Sequence, residues 1–133
     1  MGFMLFDDAA AAGAHNMQRD LELLRTCAGG AFEGALRLYQ WSPACLSLGA
    51  TQSMDDADLD ACRRDGVDVV RRPSGGRAVL HDDEVTYALV CRNDDPVFGG
   101  TVLQSCERIH ATVAEALRPV SYTHLRAHET GRN

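Results

Sequence analysis

The densest group of charged and reactive side chains is Val70-Arg-Arg-Pro-Ser-Gly-Gly-Arg-Ala-Val-Leu-His-Asp-Asp83. Glycines at 75 and 76 let backbone come close to a ligand, and successive N–H groups in such a turn can form an anion-binding nest. Arg71, Arg72 and Arg77 add fixed positive charge, with the fork geometry that suits phosphate or carboxylate. His81 and Asp82 follow, placed to orient one another or the loop. A second reading is a plain hairpin whose glycines only make the turn and whose arginines are solvated. Three arginines around one loop in an otherwise acidic chain bring the two readings level.

Other constellations are thinner. Glu107-x-x-His110 has the spacing of carboxylate-bridged metal sites on helices, but it occurs once and reads as an exposed pair. His81-Asp-Asp-Glu84 could hold a cation only if neighbouring strand positions did not point to opposite faces. Ser74 lacks the G-x-S-x-G elbow of a serine hydrolase. Cys45 and Cys91 fall in strands, where a buried and unactivated thiol is inert. No metal-ligand set is expected.

Every one of the thirteen cations is arginine, because the chain of 133 residues has no lysine. That excludes chemistry requiring an internal lysine, a Walker-type phosphate loop included. The net charge of −6 and pI near 5.2 have the wrong sign for a general nucleic-acid binder. An apolar share of 45% is ordinary globular usage, and no apolar run reaches the roughly 18 residues of a membrane helix. Met-Gly-Phe-Met-Leu-Phe-Asp-Asp8 lacks the basic start of a secretory signal. Five unevenly spaced cysteines without a C-x-x-C pair suit reduced thiols in a cytoplasm.

The elements that must carry these groups follow from periodicity and punctuation. Met17, Leu21 and Leu24 predict a helix over Asn16 to Cys27, stopped by Gly29-Gly30. Strands are predicted from Leu36 to Trp41, ended by Ser42-Pro43, and from Cys45 to Leu48. Ser53-Met-Asp-Asp56 opens a helix as a capping pattern, with Arg63 and Arg64 in its last turn and Gly66 ending it. Further strands are expected over Val67 to Arg71, Ala78 to His81, and Val85 to Cys91. Thr101-Val-Leu-Gln104 is a capping box before an apolar stripe of Val102, Cys106, Ile109, Val113 and Leu117. This order predicts α+β with a mixed or largely antiparallel sheet, in which consecutive strands could pair as hairpins. Ser121 to Asn133 continues no stripe and resembles a cloning or adaptor scar.

Arg71-Arg-Pro-Ser-Gly-Gly-Arg-Ala-Val-Leu-His-Asp82 resembles the signature loop of the lipoate–protein ligase and octanoyltransferase family. Three more segments match in order. His15-Asn-Met-Gln-Arg-Asp20 resembles its Asn-Met-x-x-Asp helix. Leu38-Tyr-Gln-Trp-Ser-Pro-Ala-Cys-Leu-Ser-Leu-Gly49 resembles its strand pair bearing Trp, Pro, Ser and Gly in that order, here Trp41, Pro43, Ser47 and Gly49, and Ala50-Thr-Gln52 continues into its usual glutamine. The resemblance spans roughly residues 3 to 118.

It implies a biotin/lipoate protein ligase-like catalytic domain, related to class II aminoacyl-tRNA synthetases, with a mixed sheet flanked by helices. It implies attachment of an octanoyl or lipoyl group to a lysine of a lipoyl-carrier domain, in the cytoplasm, with no nucleic acid or membrane involved. Carrier domains of this type belong to the glycine-cleavage carrier protein or to 2-oxoacid dehydrogenase subunits. A ligase would use ATP with Mg, and a transferase octanoyl-acyl carrier protein; neither implies a covalently bound cofactor. Arg72, Ser74, Gly75, Gly76, Arg77, Ala78, Val79 and His81 are the implied substrate-binding residues. Arg77 stands where ligases usually carry a third glycine, which favours the octanoyltransferase branch. The family's lysine and nucleophilic cysteine are implied downstream, so no catalytic residue is expected in this chain. Residues 1–118 are then expected to be the N-terminal part of the domain, inactive alone, with 119–133 a non-native tail. A different expectation is a non-catalytic acyl- or nucleotide-binding subunit of a split ligase.

Overall fold

The computed structural model describes residues 2–120, so most of the expected tail, from Ser121 on, lies outside the described residues. The strands are β1 (Phe3–Asp7), β2 (Gly34–Tyr39), β3 (Cys45–Leu48), β4 (Asp68–Arg71), β5 (Val79–His81) and β6 (Thr86–Cys91). The helices are α1 (Gly13–Ala28), α2 (Leu59–Arg64) and α3 (Val102–Leu117). None is long and apolar enough to cross a membrane.

The α+β expectation holds, but the strands form two sheets. One has the order β1-β2-β6, with β1 parallel and β6 antiparallel to β2. The other has the order β4-β3-β5, with β4 parallel and β5 antiparallel to β3. The hairpin reading of residues 70–83 is therefore corrected. β4 and β5 lie on opposite sides of β3, and the Pro-Ser-Gly-Gly loop crosses over the end of β3. β1 is an element beyond the expected order. Phe3, Met4 and Leu5 are all substantially exposed, so they lack the in–out alternation that marks a strand in sequence.

Helix α1 packs against β2, β4 and β6 and so bridges both sheets. One apolar cluster joins Met17, Tyr39, Trp41 and Cys45, with Val70 and Ala88 against it. A second joins Leu23, Cys27, Phe32 and Ala35, with Phe6 and Val90. Burial of a Leu, Phe or Met side chain contributes about 1.5–3 kcal/mol, which makes these clusters the main apolar support of the fold. Gly29 ends α1 by donating its N–H to the Arg25 carbonyl, and Gly30 follows with φ of 87°.

The helix expected from Ser53 is split. Ser53 caps a single 3-10 turn, Met54–Asp56, by accepting from the Asp55 N–H. Ala57 is extended, and Asp58 caps α2 afresh by accepting from the Ala61 N–H. Two competing caps five residues apart break one helix into two pieces. The capping box of Thr101 and Gln104 forms in full. Along the stripe behind it Val102 is 83% exposed and Leu117 is exposed, while Cys106, Ile109 and Val113 are half-buried.

Candidate functional site

A cavity of about 390 Å³ lies between α1, β2, β6 and the loop over β3. Met17, Leu24, Trp41, Pro73, Tyr87, Leu89 and Val90 make its lining largely apolar. Polar groups enter at two places, Asp20 with Tyr39 and Arg72 with Ser74, His81 and Thr86. Both sets are held by networks that reach beyond the cavity.

The first network is built on a buried cation. Arg37, fully buried in β2, donates from Nε to Asp8 and from Nη1 to Asp20 and the Asn16 carbonyl. Its Nη2 reaches the Asn16 side-chain oxygen, and its guanidinium lies 3.8 Å from the centre of the Tyr39 ring. Asn16 in turn donates to the carbonyls of Ala11 and Gln40. Asp20 also accepts from the Tyr39 hydroxyl at 3.0 Å. Burial and the Asp20 carboxylate raise the pKa of Tyr39, while the Arg37 hydrogen bond holds Asp8 below the ordinary carboxylate range. The Asn-Met-x-x-Asp segment of α1 thus fixes one wall of the cavity rather than offering a free acid.

The second network holds the loop. Arg72 Nη1 donates to the Ser47 carbonyl at 2.9 Å and to Ser47 Oγ at 2.7 Å. Its Nη2 donates to the carbonyls of Gly75 and Arg77 at 2.8 and 2.9 Å. Arg72 is therefore a staple between β3 and the loop, and its burial lowers its pKa. Arg71 ties the adjoining turn by donating to the carbonyls of Gly49 and Gln52. The Ala50 N–H donates to the Ser74 carbonyl across the crossing. There a Cβ on Gly49 would sit 1.9 Å from the Gly76 carbonyl oxygen, so only glycine fits at position 49. Gly76 itself has φ of 95°, a left-handed conformation that glycine adopts at least cost.

His81, at the end of β5, sits 2.7 Å from Ser47 Oγ through Nε2 and 3.0 Å from Glu84 through Nδ1. Its ring stacks on Trp41 with centroids 4.0 Å apart. Thr86 Oγ1 donates to Glu84 and accepts from Trp41 Nε1. The expected strand geometry of His81-Asp-Asp-Glu84 is corrected here. β5 ends at His81, and a bend at Asp82-Asp83 brings Glu84 back to the imidazole. Glu84, not Asp82, orients the histidine.

Of the residues singled out from sequence, Arg72, Ser74 and His81 meet at the cavity. Gly75, Gly76, Arg77, Ala78 and Val79 are exposed along the loop and the start of β5, outside the cavity lining. Arg77 has no side-chain partner among the described residues, unlike Arg71 and Arg72. Ser47, Glu84, Thr86 and Trp41 complete the site, although none is among the implied substrate-binding residues; Trp41 and Ser47 fall in the strand-pair motif and Glu84 in the His81–Glu84 run. Ser47 had one local signal, since it shares the buried face of β3 with Cys45, where a polar residue needs a partner. Cys45 is wholly buried, and burial, with Asp68 and Cys62, pushes its thiol up to about 11. Glu107 is exposed, whereas His110 is half-buried and its Nδ1 has no partner among the described residues. The two are not a jointly exposed pair. No group of three metal-ligating side chains suited to an ion occurs among the described residues.

Residues 12–133 match the model of the lipoyl protein ligase A/B catalytic domain. The chain belongs to this family. It is similar to octanoyltransferase LipM of Moorella thermoacetica, with 41% identity over 115 residues, 86% of this chain and 42% of the relative. LipM of Clostridioides difficile is 40% identical over 106 residues, 79% of this chain and 39% of that protein. The chain thus spans about 40% of the length of the curated relatives it matches. In structure it resembles a lipoate–protein ligase A bound with ATP, at a TM-score of 0.80 and 22% identity, covering all of this chain and 53% of that one. It also resembles a T. acidophilum protein with bound lipoic acid, at 0.81 and 21%, covering 98% and 54%. These likenesses confirm the lipoyl protein ligase A/B catalytic fold, present in part.

Proposed function

We propose that the chain forms the acyl-recognition part of a protein acyltransferase of lipoate metabolism. The whole enzyme attaches an octanoyl or lipoyl group to a lysine of a lipoyl-carrier domain. The observation that carries this reading is the apolar cavity roofed by the Arg72-stapled loop, which offers a saturated chain an apolar wall of Met17, Leu24, Trp41, Leu89 and Val90. Each methylene buried there contributes about 0.8 kcal/mol, so affinity grows roughly fourfold per carbon.

Two of the three loop arginines are committed to backbone carbonyls, leaving Arg77 to meet an external anion. That favours octanoyl-acyl carrier protein as donor over ATP with Mg, whose triphosphate demands more positive charge. The similarity to octanoyltransferases supports the same choice. Arg72, Ser74 and His81 border the acyl group in this reading, while Gly75, Gly76, Arg77, Ala78 and Val79 form the outer loop toward donor and carrier. Lipoyl-carrier domains and acyl carrier protein are the partners, and the cytoplasm is the compartment. With no lysine in the sequence and Cys45 sealed in the core, these 133 residues do not complete the transfer alone.

Trp41 is the one tryptophan, so its emission reports on the cavity directly. Titration with butanoate, hexanoate and octanoate is expected to give saturable changes whose midpoints tighten with chain length. Equal responses to all three acids, or none to octanoate, would reject the acyl site. Mass gain on a carrier-domain lysine after incubation with octanoyl-acyl carrier protein would reject the claim that this chain is not sufficient.

A further inference from the structure

The hydrogen bonds around a neutral His81 have a direction set by the donor-only and acceptor-only groups at their ends. At one end stands Trp41 Nε1, a group that can only donate, and Thr86 Oγ1 accepts from it at 2.7 Å. Thr86 then spends its own proton on Glu84. At the other end stands Arg72, also donor-only, and Ser47 Oγ accepts from it at 2.7 Å. On a neutral ring whose Nδ1–H faces the acceptor-only Glu84 carboxylate, Nε2 is the bare nitrogen and accepts the Ser47 hydroxyl proton. The remaining ring nitrogen, Nδ1, carries the proton and gives it to Glu84 at 3.0 Å. Two strings of donors thus converge on one acceptor-only group, the Glu84 carboxylate.

We propose that Glu84 is a positioning residue of the acyl site, fixing the His81 tautomer that lets Ser47 and Arg72 hold the 73–77 loop over the cavity. The chain of dependence runs through four side chains. Without an acceptor at position 84, the Nδ1 proton loses its partner, and the ring gains by placing its proton on Nε2 instead. An Nε2–H faces Ser47 Oγ as a donor, so the Ser47 proton loses its acceptor and turns away, and the oxygen that anchors Arg72 is reoriented and shared with His81. Arg72 is the link that ties the Gly75 and Arg77 carbonyls to β3. A carboxylate some distance along the chain from the glycines therefore sets their position. His81 and Ser47 are both buried, so water does not readily replace either missing bond. The proposal rests on the acyl-site reading only for the purpose of the loop, not for the bonds that hold it.

The test uses the full 133-residue chain labelled with 15N, without any acyl ligand. Long-range nitrogen–proton NMR correlations read the His81 tautomer, and amide exchange reads the loop at Ala50 and Arg72, whose N–H groups bond to Ser74 and Leu48. In the parent, the protonated nitrogen is expected to be Nδ1. Glu84→Ala is expected to move the proton toward Nε2 and to speed exchange at both amides at least tenfold, leaving α1 amides unchanged. Glu84→Gln keeps an acceptor oxygen and is expected to restore the parent tautomer and protection. Ser47→Ala is expected to loosen the loop while the tautomer stays on Nδ1, and it decides the matter if Glu84→Ala does not fold. A parent ring protonated on Nε2 overturns the proposal, as does loop exchange indifferent to a folded Glu84→Ala, or to Ser47→Ala where Glu84→Ala does not fold. Because neither readout involves an acid, failure of octanoate binding would remove the acyl reading and leave this result standing.

Discussion

The imidazole of His81 lies flat on the indole of Trp41, centroids 4.0 Å apart and planes 11° from parallel. The same indole donates its N–H to Thr86, so Trp41 serves as wall, stacking surface and donor at once. These roles separate on substitution. Trp41→Phe keeps a ring but removes the donor to Thr86, which retains its bond to Glu84, with an expected loss of about 1–3 kcal/mol. Trp41→Ala also opens the core and is expected to cost about 3–5 kcal/mol. Urea unfolding followed by far-UV circular dichroism measures both.

The contact between Gly49 and Gly76 makes a graded pair. A methyl group at position 49 collides with backbone, whereas one at position 76 meets only the flexible end of Arg72 at 3.3 Å and carries the left-handed penalty of about 1–2 kcal/mol. Gly49→Ala is expected to abolish octanoate binding and Gly76→Ala to weaken it by roughly tenfold. Equal effects would show that the crossing is looser than its geometry.

Arg37 is surrounded by groups that were desolvated for its sake. Arg37→Met leaves Asp8, Asp20 and the Asn16 side chain short of a donor, and the expected cost is about 3–5 kcal/mol. Loss of less than about 1 kcal/mol in a denaturant titration would mean that water reaches these carboxylates freely.

Acid sensitivity follows from Asp8. Its folded pKa is depressed by Arg37, so its stabilising effect is complete above the ordinary aspartate value of about 3.9 and is lost as pH falls through the lower folded value. Stability is expected to decline over that acidic range, and Asp8→Asn is expected to flatten the decline. Thermal midpoints recorded from neutral pH down to about pH 2 test the sign, because stability rising on acidification would contradict it.

The five thiols should divide by burial. Cys27 and Cys45 are buried, and Cys45 is also pushed up to about 11, so both are expected to resist iodoacetamide at neutral pH. Cys62 and Cys106 are expected to react first. Mass spectrometry of a timed quench, with and without urea, gives the order.

What could be read from sequence was local. The Thr101–Gln104 capping box and the glycine stop after α1 involve neighbours in the chain, and both formed as expected. The signature loop is legible because its glycines and arginines are contiguous. Ser47, Arg72 and Glu84 come together from three separate stretches, and no spacing rule links position 47 to 81. Arg37 was hidden in an alternating strand pattern that makes an outward cation the natural expectation. Only the distant Asp8, Asn16 and Asp20 turn it inward. Pairing of β4 and β5 through β3, rather than with each other, is likewise a decision of the whole sheet.

That strand order has one more consequence. Because β3 stands between β4 and β5, the segment from Arg72 to Ala78 must bridge two inter-strand spacings, roughly 10 Å. Seven extended residues would reach farther than that, so the fit of the loop is set by the Arg72 bonds to the Gly75 and Arg77 carbonyls and by the close crossing of Gly49 and Gly76. Most surface loops accept insertions and deletions; this one is expected to refuse even a single residue gained or lost. Natural variation among its relatives should then appear between positions 71 and 79 as exchanges of side chain and not as gaps.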